Sequence, residues 1–285
     1  MFVEQLYTNC LSEAAYFIAD DGEAAVIDPL RDIDAYLKLA EEHDVTIKYI
    51  FETHFHADFV SGHLDLAKAT GATIVYGPLT NAMFDFHLAK DGEVFNIGNL
   101  KMKVLHTPGH TLESTCYLLS DEEGRDYAVF TGDTLFVGDV GRPDLFSGSL
   151  SKEDLATMMY NSLNTKIKTL PDHVIVYPAH GPGSACGKNL GKETFSTIGT
   201  QTATNYALQD QTVEAFVKEA LTAAWVNAFM ARTRKLWTQQ TGMGSQGDEP
   251  DGYKLLAKTV LNILEEERKE YGDVNEDEEE TEEAK

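Results

Sequence analysis

The residues Thr53-His54-Phe55-His56-Ala57-Asp58-Phe59 come directly after the apolar run Tyr49-Ile50-Phe51. The run predicts a buried strand that delivers the polar residues to its carboxyl end, the edge at which α/β sheets usually bind ligands. If the backbone stays extended there, its period of two points His54, His56 and Asp58 the same way. Two imidazoles and a carboxylate that converge at a strand end predict a metal site.

Three further clusters repeat this pattern later in the chain. Each follows an apolar run and contains a side chain that can bind a metal: His106-Thr107-Pro108-Gly109-His110, Thr131-Gly132-Asp133 and Pro178-Ala179-His180. One His or Asp after a strand is typical of a turn, so each cluster alone is weak. Four clusters in one domain favour a shared metal site over four unrelated turns.

Around these clusters the chain alternates between strand and helix signals. The candidate strands are Ala15–Ile18, Ala24–Ile27, Thr46–Phe51, Thr73–Tyr76, Met102–Leu105, Thr115–Leu119, Tyr127–Phe130 and Val174–Tyr177. The candidate helices span residues 33–43, after a predicted N-cap at Asp32, residues 60–69, and residues 151–161, where Ser151 and Asp154 form a capping box. Strands with interleaved helices predict a layered α/β domain, to which we assign residues 1–208.

The C-terminal third has a different character. Apolar residues at steps of three and four predict a long amphipathic helix over residues 213–229, and a second amphipathic segment covers residues 255–264. Residues 265–285 hold twelve acidic and three basic residues. We therefore predict a helical extension over residues 209–271 and a disordered acidic tail over residues 272–285. The apolar face of the first helix is compatible with a homodimer.

Composition narrows the class of protein further. The chain has 285 residues, of which 42% are hydrophobic and 25% charged, as in soluble globular enzymes. No apolar run is long enough for a membrane span, and no secretory signal is recognisable. Three cysteines, Cys10, Cys116 and Cys186, are too few for a disulfide framework and fit a reducing cytoplasm, with Cys10 and Cys116 expected in the core. A net charge of −24 argues against nucleic acid and acidic membranes as partners.

The four clusters together resemble the motif series of the metallo-β-lactamase superfamily, His-x-His-x-Asp, Pro-Gly-His-Thr, Gly-Asp-x-Leu-Phe and Pro-x-His-Gly. The separations of 56, 23 and 47 residues between His54, His110, Asp133 and His180 agree with that series. The resemblance implies an αββα sandwich with a metal site at one edge of its two sheets. It covers roughly the first two hundred residues.

Within the superfamily the chain is most similar to the persulfide dioxygenases, especially a bacterial branch often fused to rhodanese domains. The similar stretches are residues 52–63, 138–145 and 180–187. The resemblance implies a single Fe(II) per chain held by His54, His110 and Asp133, a facial triad that leaves positions open for substrate and O₂. It also implies oxidation of a low-molecular-weight persulfide, such as glutathione persulfide, to sulfite and free thiol.

The same resemblance implies that His56, Asp58 and His180 lie near the iron without binding it, and that they orient the ligands through hydrogen bonds. Two departures from related enzymes matter. Phe59 stands where two-metal hydrolases such as glyoxalase II have a second-site His, and Pro182 stands where they have a Tyr. The carrier thiol of the persulfide is therefore open. No rhodanese-like cysteine loop follows residue 200, so a separate sulfurtransferase would supply the sulfur.

Two further residues are candidates for contact with the substrate. Arg142 follows Gly141 shortly after the Asp133 cluster and can hold a carboxylate of the thiol carrier or a sulfur oxyanion. An ion pair with Asp144 that stiffens the loop is the structural alternative. Cys186 lies six residues after His180 and can carry a sulfane sulfur, or it is simply a packed thiol.

Two other functions remain open from the sequence. The first is a mononuclear zinc hydrolase of thioesters or lactams, in which His54, His56 and His110 hold a zinc-bound hydroxide. The second is a non-catalytic carrier of sulfur or metal that docks a partner through its C-terminal helices.

Overall fold

The first sheet of the protein carries the residues of the His-rich motif at one edge. The structure is a computed structural model that describes residues 1–144, 150–182, 184, 186–187 and 190–222. The strands of this sheet lie in chain order: β1 (Phe2–Thr8), β2 (Glu13–Asp20), β3 (Glu23–Ile27), β4 (Thr46–Glu52), β5 (Thr73–Tyr76) and β6 (His87–Leu88). Because β3 and β4 are parallel, Asp28 and the motif that begins at Thr53 leave the sheet at the same edge.

The second sheet brings two more of the strand-end clusters together in the same way. Its strands also lie in chain order: β7 (Val94–Ile97), β8 (Leu100–His106), β9 (Thr115–Ser120), β10 (Asp126–Gly132), β11 (Ile175–Pro178) and β12 (Ser196–Thr197). Among these, β10 and β11 are parallel. The residues that follow them, Asp133 and His180, therefore emerge side by side.

Helices cover the outer faces of both sheets. The helices are α1 (Asp34–Glu42), α2 (His63–Thr70), α3 (Lys152–Ser162), which continues as a π-turn over Leu163–Ile167, and α4 (Ile198–Thr204). Alternation along β2 shows the layering: Tyr16 and Ile18 pack between the sheets, whereas Phe17 packs in the cluster that contains Tyr36 of α1 and Leu66 of α2. A third cluster joins α3 to the second sheet. The structure thus confirms the predicted αββα sandwich.

All eight predicted strands are present, most of them with longer bounds, and the predicted capping box of Ser151 and Asp154 is formed. The second helix begins at His63 rather than at residue 60, because Ser61 forms a β-bridge with Leu30 and leaves the chain non-helical there. Asp32 accepts the amide of Asp34, but the N-cap position is one residue later than predicted.

The placement of Cys10 in the core was wrong: Cys10 is exposed in the turn between β1 and β2, while Cys116 is buried as expected. Its turn faces solvent because β1 and β2 form a hairpin whose connection lies beyond the packed part of both strands.

Residues Met1–Ala224 form one compact unit, and residues 213–222 are helical, with Phe216 and Ala220 buried. The remainder of the predicted long helix, the segment 255–264 and the acidic tail lie outside the described residues. The boundary at residue 208 therefore stays a prediction. Among the described residues, no helix combines the length and apolar character that crossing a bilayer requires.

The hydroxyl of Tyr16 joins the two sheets, since it donates a 2.6 Å hydrogen bond to the carbonyl of Pro178 and accepts one from Gln5. We expect Tyr16→Phe to lower the free energy of unfolding by about 1–3 kcal/mol, because it leaves a buried carbonyl unpaired. Urea denaturation measures the change. The control is Tyr49→Phe, whose hydroxyl makes no hydrogen bond among the described residues, with an expected change within about 0.5 kcal/mol. Equal effects of both variants would contradict the prediction.

Candidate metal centre

Three predicted ligands meet where the two sheets share an edge. The donor atoms of His54, His110 and Asp133 lie within 4.8 Å of one another, and all three residues are buried. Asp133 Oδ2 is 3.4 Å from His110 Nε2 and 3.9 Å from His54 Nε2. Ligands bonded to one ion at 2.0–2.2 Å are separated by about 3–4 Å, so this spacing suits a single divalent cation.

Asp133 provides a test of whether a cation fits. Its side chain is 1% exposed, and neither carboxylate oxygen has a hydrogen-bond partner among the described residues. A buried carboxylate without a hydrogen-bond partner is unfavourable, and a metal ion between the carboxylate and the two imidazoles removes that cost. The residues therefore form a metal-binding site of His and Asp side chains.

The tautomer of His54 follows from its neighbours. Thr53 Oγ1 donates its single proton to Asp28 Oδ2 at 2.7 Å, so it must accept at its 2.9 Å contact with His54 Nδ1. His54 thus carries its proton on Nδ1 and presents the lone pair of Nε2 to the site. Burial, together with the nearby histidines His56 and His110, lowers the pKa of His54 well below its usual value, which favours the neutral form that metals bind.

The tautomer of His110 is set by a backbone group. His110 Nδ1 lies 2.8 Å from the carbonyl oxygen of Arg142, which can only accept. Nδ1 therefore donates, and Nε2 is left free toward Asp133. Gly132 fits the same corner, because its φ is +50° and a Cβ at this position would lie 2.6 Å from the Thr53 side chain, which excludes larger residues immediately before Asp133.

The expectation that His54, His56 and Asp58 point the same way is wrong, because they do not converge on one group of donors. The chain bends after β4 instead of staying extended, and the three side chains join three different groups of donors. The rings of His54 and His56 remain 4.3 Å apart. His56 Nε2, however, lies 3.1 Å from Asp28 Oδ1 and 3.4 Å from Glu52 Oε2. Although burial disfavours the imidazolium, these carboxylates raise the pKa of His56 well above its usual value.

Asp58 and His180 form a second group of donors with Cys186. His180 Nδ1 donates to the carbonyl of Ser12 at 3.0 Å, and its Nε2 lies 3.2 Å from Asp58 Oδ2 and 3.6 Å from Asp133 Oδ1. Burial opposes the charge of the imidazolium, but Asp133 and Asp58 raise the pKa of His180 to about 12. This group therefore borders the first through the shared carboxylate of Asp133.

Arg142 makes the ion pair that was the structural alternative for it. Its Nε and Nη2 atoms donate to the two oxygens of Asp144 at 2.7 and 2.8 Å. Its backbone has a separate role that the sequence did not indicate, since its carbonyl orients His110 and its amide donates to the carbonyl of Cys186 at 3.2 Å. The loop thus ties the ligand His110 to the Cys186 segment.

The sequence reasoning missed the carboxylates beneath the site. Asp28 follows β3 just as Asp133 follows β10, so the same strand-end signal could have identified it. Glu52 follows an apolar run at the last position of β4, and Glu13 opens β2; both are fully buried. Burial, together with the nearby charge of Asp28, raises the pKa of Glu13 to about 8.

Comparison with known families decides the classification. The profile of the metallo-β-lactamase superfamily matches residues 8–180. The chain belongs to the metallo-β-lactamase superfamily. A curated relative, the probable hydroxyacylglutathione hydrolase of Schizosaccharomyces pombe, is 35% identical over 159 residues, 55% of this chain and 58% of that protein. The chain therefore spans less than two thirds of that superfamily relative.

Two solved structures of the superfamily fold are similar over more of the chain. The metallo-β-lactamase from Staphylococcus aureus subsp. aureus COL has a TM-score of 0.71 and 34% identity, covering 91% of this chain and 72% of that one. ETHE1 from Myxococcus xanthus has a TM-score of 0.66 and 32% identity, covering 77% of this chain and 90% of that one.

Thr53→Val tests the tautomer argument, because it removes the acceptor for His54 Nδ1–H. We expect metal affinity to fall by about 10–100-fold, the usual effect of losing a group that orients a ligand. Competition with a chelator measures it. Thr53→Ser keeps the hydroxyl and is expected to retain the wild-type affinity; a loss as large in Ser as in Val would show that packing, not the hydrogen bond, matters.

Asp133→Asn tests the buried carboxylate that lacks a hydrogen-bond partner. In the metal-free protein we expect the variant to be at least as resistant to urea as the wild type, since it removes that carboxylate while His180 keeps its contact with Asp58 at 3.2 Å. Zinc at a hundredfold excess over its Kd should stabilise the wild type by about 2.7 kcal/mol and the variant not at all. A metal-free variant that is clearly less stable than the wild type would contradict this account.

Proposed function

We propose that the protein is a mononuclear Fe(II) dioxygenase that oxidises the sulfane sulfur of a low-molecular-weight persulfide to sulfite and releases the free thiol. One observation carries the proposal. The donor atoms of His54, His110 and Asp133 lie within 4.8 Å of one another, while His56 Nε2 makes ion pairs with Asp28 and Glu52. Two imidazoles and one carboxylate are the ligand set typical of Fe(II) enzymes that use O₂.

The chemistry divides between the metal and the chain. Bound Fe(II) supplies open positions for O₂ and for a soft persulfide sulfur, and it changes redox state, which Zn²⁺ does not. His54 and His110 present Nε2 through fixed tautomers, and Asp133 supplies the negative ligand. The balanced reaction consumes a persulfide anion, O₂ and water, and it yields a thiol, sulfite and one proton.

The other predicted site residues have roles in substrate binding under this proposal. Asp58 and His180 line the site next to Asp133. His180 Nε2 faces the carboxylates of both Asp58 and Asp133. Arg142 keeps N–H groups beyond those that bind Asp144, and these can hold a carboxylate of the thiol carrier. Cys186 is partly exposed beside His180 and would contact the incoming sulfur.

The partners follow from the same reaction. They are a small-molecule persulfide such as glutathione persulfide, O₂, and a separate sulfurtransferase that supplies the sulfur. Homodimer formation and a cytoplasmic location stay predictions from the sequence, as does the absence of nucleic-acid and membrane partners.

A second candidate function is the hydrolysis of a glutathione thioester, which is supported by the name of the Schizosaccharomyces pombe relative. A structural observation favours it as well: Asp58, His180 and Cys186 form a second donor group next to Asp133. Two ions that share Asp133 would resemble the two-metal sites that activate water in hydrolases. The two functions differ in metal, in number of ions and in the need for O₂.

Anaerobically purified protein, supplied with glutathione persulfide and then with O₂, separates the two functions. We expect about one iron per chain, O₂ uptake and sulfite formation, and loss of both iron and turnover in His110→Ala. A hydroxyacylglutathione is the parallel substrate. Zinc at one or two ions per chain, hydrolysis of that thioester, and no O₂ uptake after reconstitution with iron would replace the dioxygenase by the hydrolase.

A further inference from the structure

Glu52 is a buried carboxylate with no place in the proposed reaction. It ends β4, and its side chain is 0% exposed. One oxygen, Oε1, accepts the hydroxyl of Ser61 at 2.7 Å. The other, Oε2, has no hydrogen-bond partner among the described residues, and its contact is the ion pair with His56 Nε2 at 3.4 Å. The carboxylate therefore depends on His56 for electrostatic compensation.

His56 is held between two such carboxylates. Its side chain is 2% exposed, and Asp28 Oδ1 lies 3.1 Å from the same Nε2. Displacing the imidazole would leave the charges of Asp28 and Glu52 buried without that partner, and an unpaired buried charge typically costs several kcal/mol. The ring is thus held by two ion pairs at Nε2, since neither of its nitrogens has a hydrogen-bond partner among the described residues.

The neighbouring histidines are anchored in the opposite way. His54 and His110 donate from Nδ1, to Thr53 and to the Arg142 carbonyl, and leave Nε2 facing Asp133. His56 has Nε2 committed to the carboxylates instead. Of the three neighbouring histidines, His54 and His110 therefore present Nε2 to the metal site. The ring of His56 is held by Asp28 and Glu52 instead.

We propose that Glu52 is a positioning residue that determines the ligand set of the metal centre: by anchoring His56 with Asp28, it keeps His56 from coordinating the ion held by His54, His110 and Asp133. A third imidazole would convert the site to the nitrogen-rich set that zinc favours in hydrolytic sites. Without it the site keeps the set suited to Fe(II). The inference deepens the proposed function, which requires that set.

Asp28 cannot be used to separate these effects, because its carboxylate also orients His54 through Thr53. Glu52 contacts His56, Ser61 and, at 3.6 Å, His63, but none of the three proposed ligands in the contacts of the described residues. Glu52→Gln therefore weakens the hold on His56 and leaves the orientation of His54 and His110 in place.

The experiment compares metal selection in the wild-type chain of 285 residues, Glu52→Gln, His56→Gln and the double variant. Each protein is loaded anaerobically with equimolar Fe(II) and Zn(II), and bound metals are quantified; visible spectra of the Co(II) forms report the ligand set. We expect Glu52→Gln to lower the Fe:Zn ratio by about tenfold and to change the Co(II) spectrum. His56→Gln and the double variant should both match the wild type, because Glu52 acts only through His56.

Glu13→Gln is the matched control. Glu13 is also a fully buried carboxyl group near the site, but neither of its oxygens has a hydrogen-bond partner among the described residues, so the change alters a buried carboxyl group without releasing His56. We expect wild-type metal selection in this variant. If Glu52→Gln does not fold, Ser61→Ala removes the 2.7 Å hydrogen bond that orients Glu52 and should shift the ratio in the same direction by a smaller factor.

The inference is overturned if His56→Gln changes the Co(II) spectrum, since His56 would then already be a ligand, or if Glu52→Gln and Glu13→Gln shift the ratio equally. No step uses persulfide or O₂. A wild type that selects iron through two histidines but consumes no O₂ with persulfide would therefore remove the proposed function and leave the role of Glu52 standing.

Discussion

The metal centre depends on the interactions of the Asp28 carboxylate with Thr53 and His56. The carboxylate is 1% exposed at the end of β3, and it accepts both the amide and the hydroxyl of Thr53 at 2.7 Å. The same carboxylate lies 3.1 Å from His56. A buried carboxylate is unfavourable unless donors or positive charges surround it. Moving Thr53 or His56 away from Asp28 therefore costs free energy, and both residues are held in place. One acidic side chain thereby fixes the bend after β4, the tautomer of His54 and the position of His56.

The sandwich makes this local arrangement useful, because the ligands come from both sheets. His54 follows β4 of the first sheet, while His110 and Asp133 follow β8 and β10 of the second. Their relative positions are set by the core between the sheets, where Tyr16 and Phe51 of the first pack with Tyr117 and Phe130 of the second. An ion bound across that edge binds the folded state and not the unfolded chain, so metal affinity and fold stability are coupled.

The sequence predicted the elements that have a periodic pattern of apolar residues. It did not predict features that depend on tertiary contacts. Alternating apolar runs located the eight predicted strands, and the strand-end residues located His54, His110, Asp133 and His180. The bend that separates His56 from His54 could not be predicted, because it depends on Asp28, 25 residues away from Thr53. Glu52 could not be recognised for the same reason: at the end of an apolar run, only its contact with His56 shows why a carboxylate is there. The role of Arg142 toward His110 is a backbone contact and has no residue-specific signal.

The negative charge around the site also favours binding of a metal ion over direct binding of an anionic substrate. Asp28, Glu52, Asp58 and Asp133 line or underlie the centre, and the whole chain carries a net charge of −24. Such a field attracts a cation and opposes an anionic persulfide or a glutathione carboxylate. The raised pKa values of His56 and His180 offset part of this negative charge, but the one guanidinium described beside the site, that of Arg142, is already paired with Asp144. Under the proposed function, the charge of a bound metal would supply much of the attraction for an anionic substrate, and substrate binding would then depend on metal occupancy.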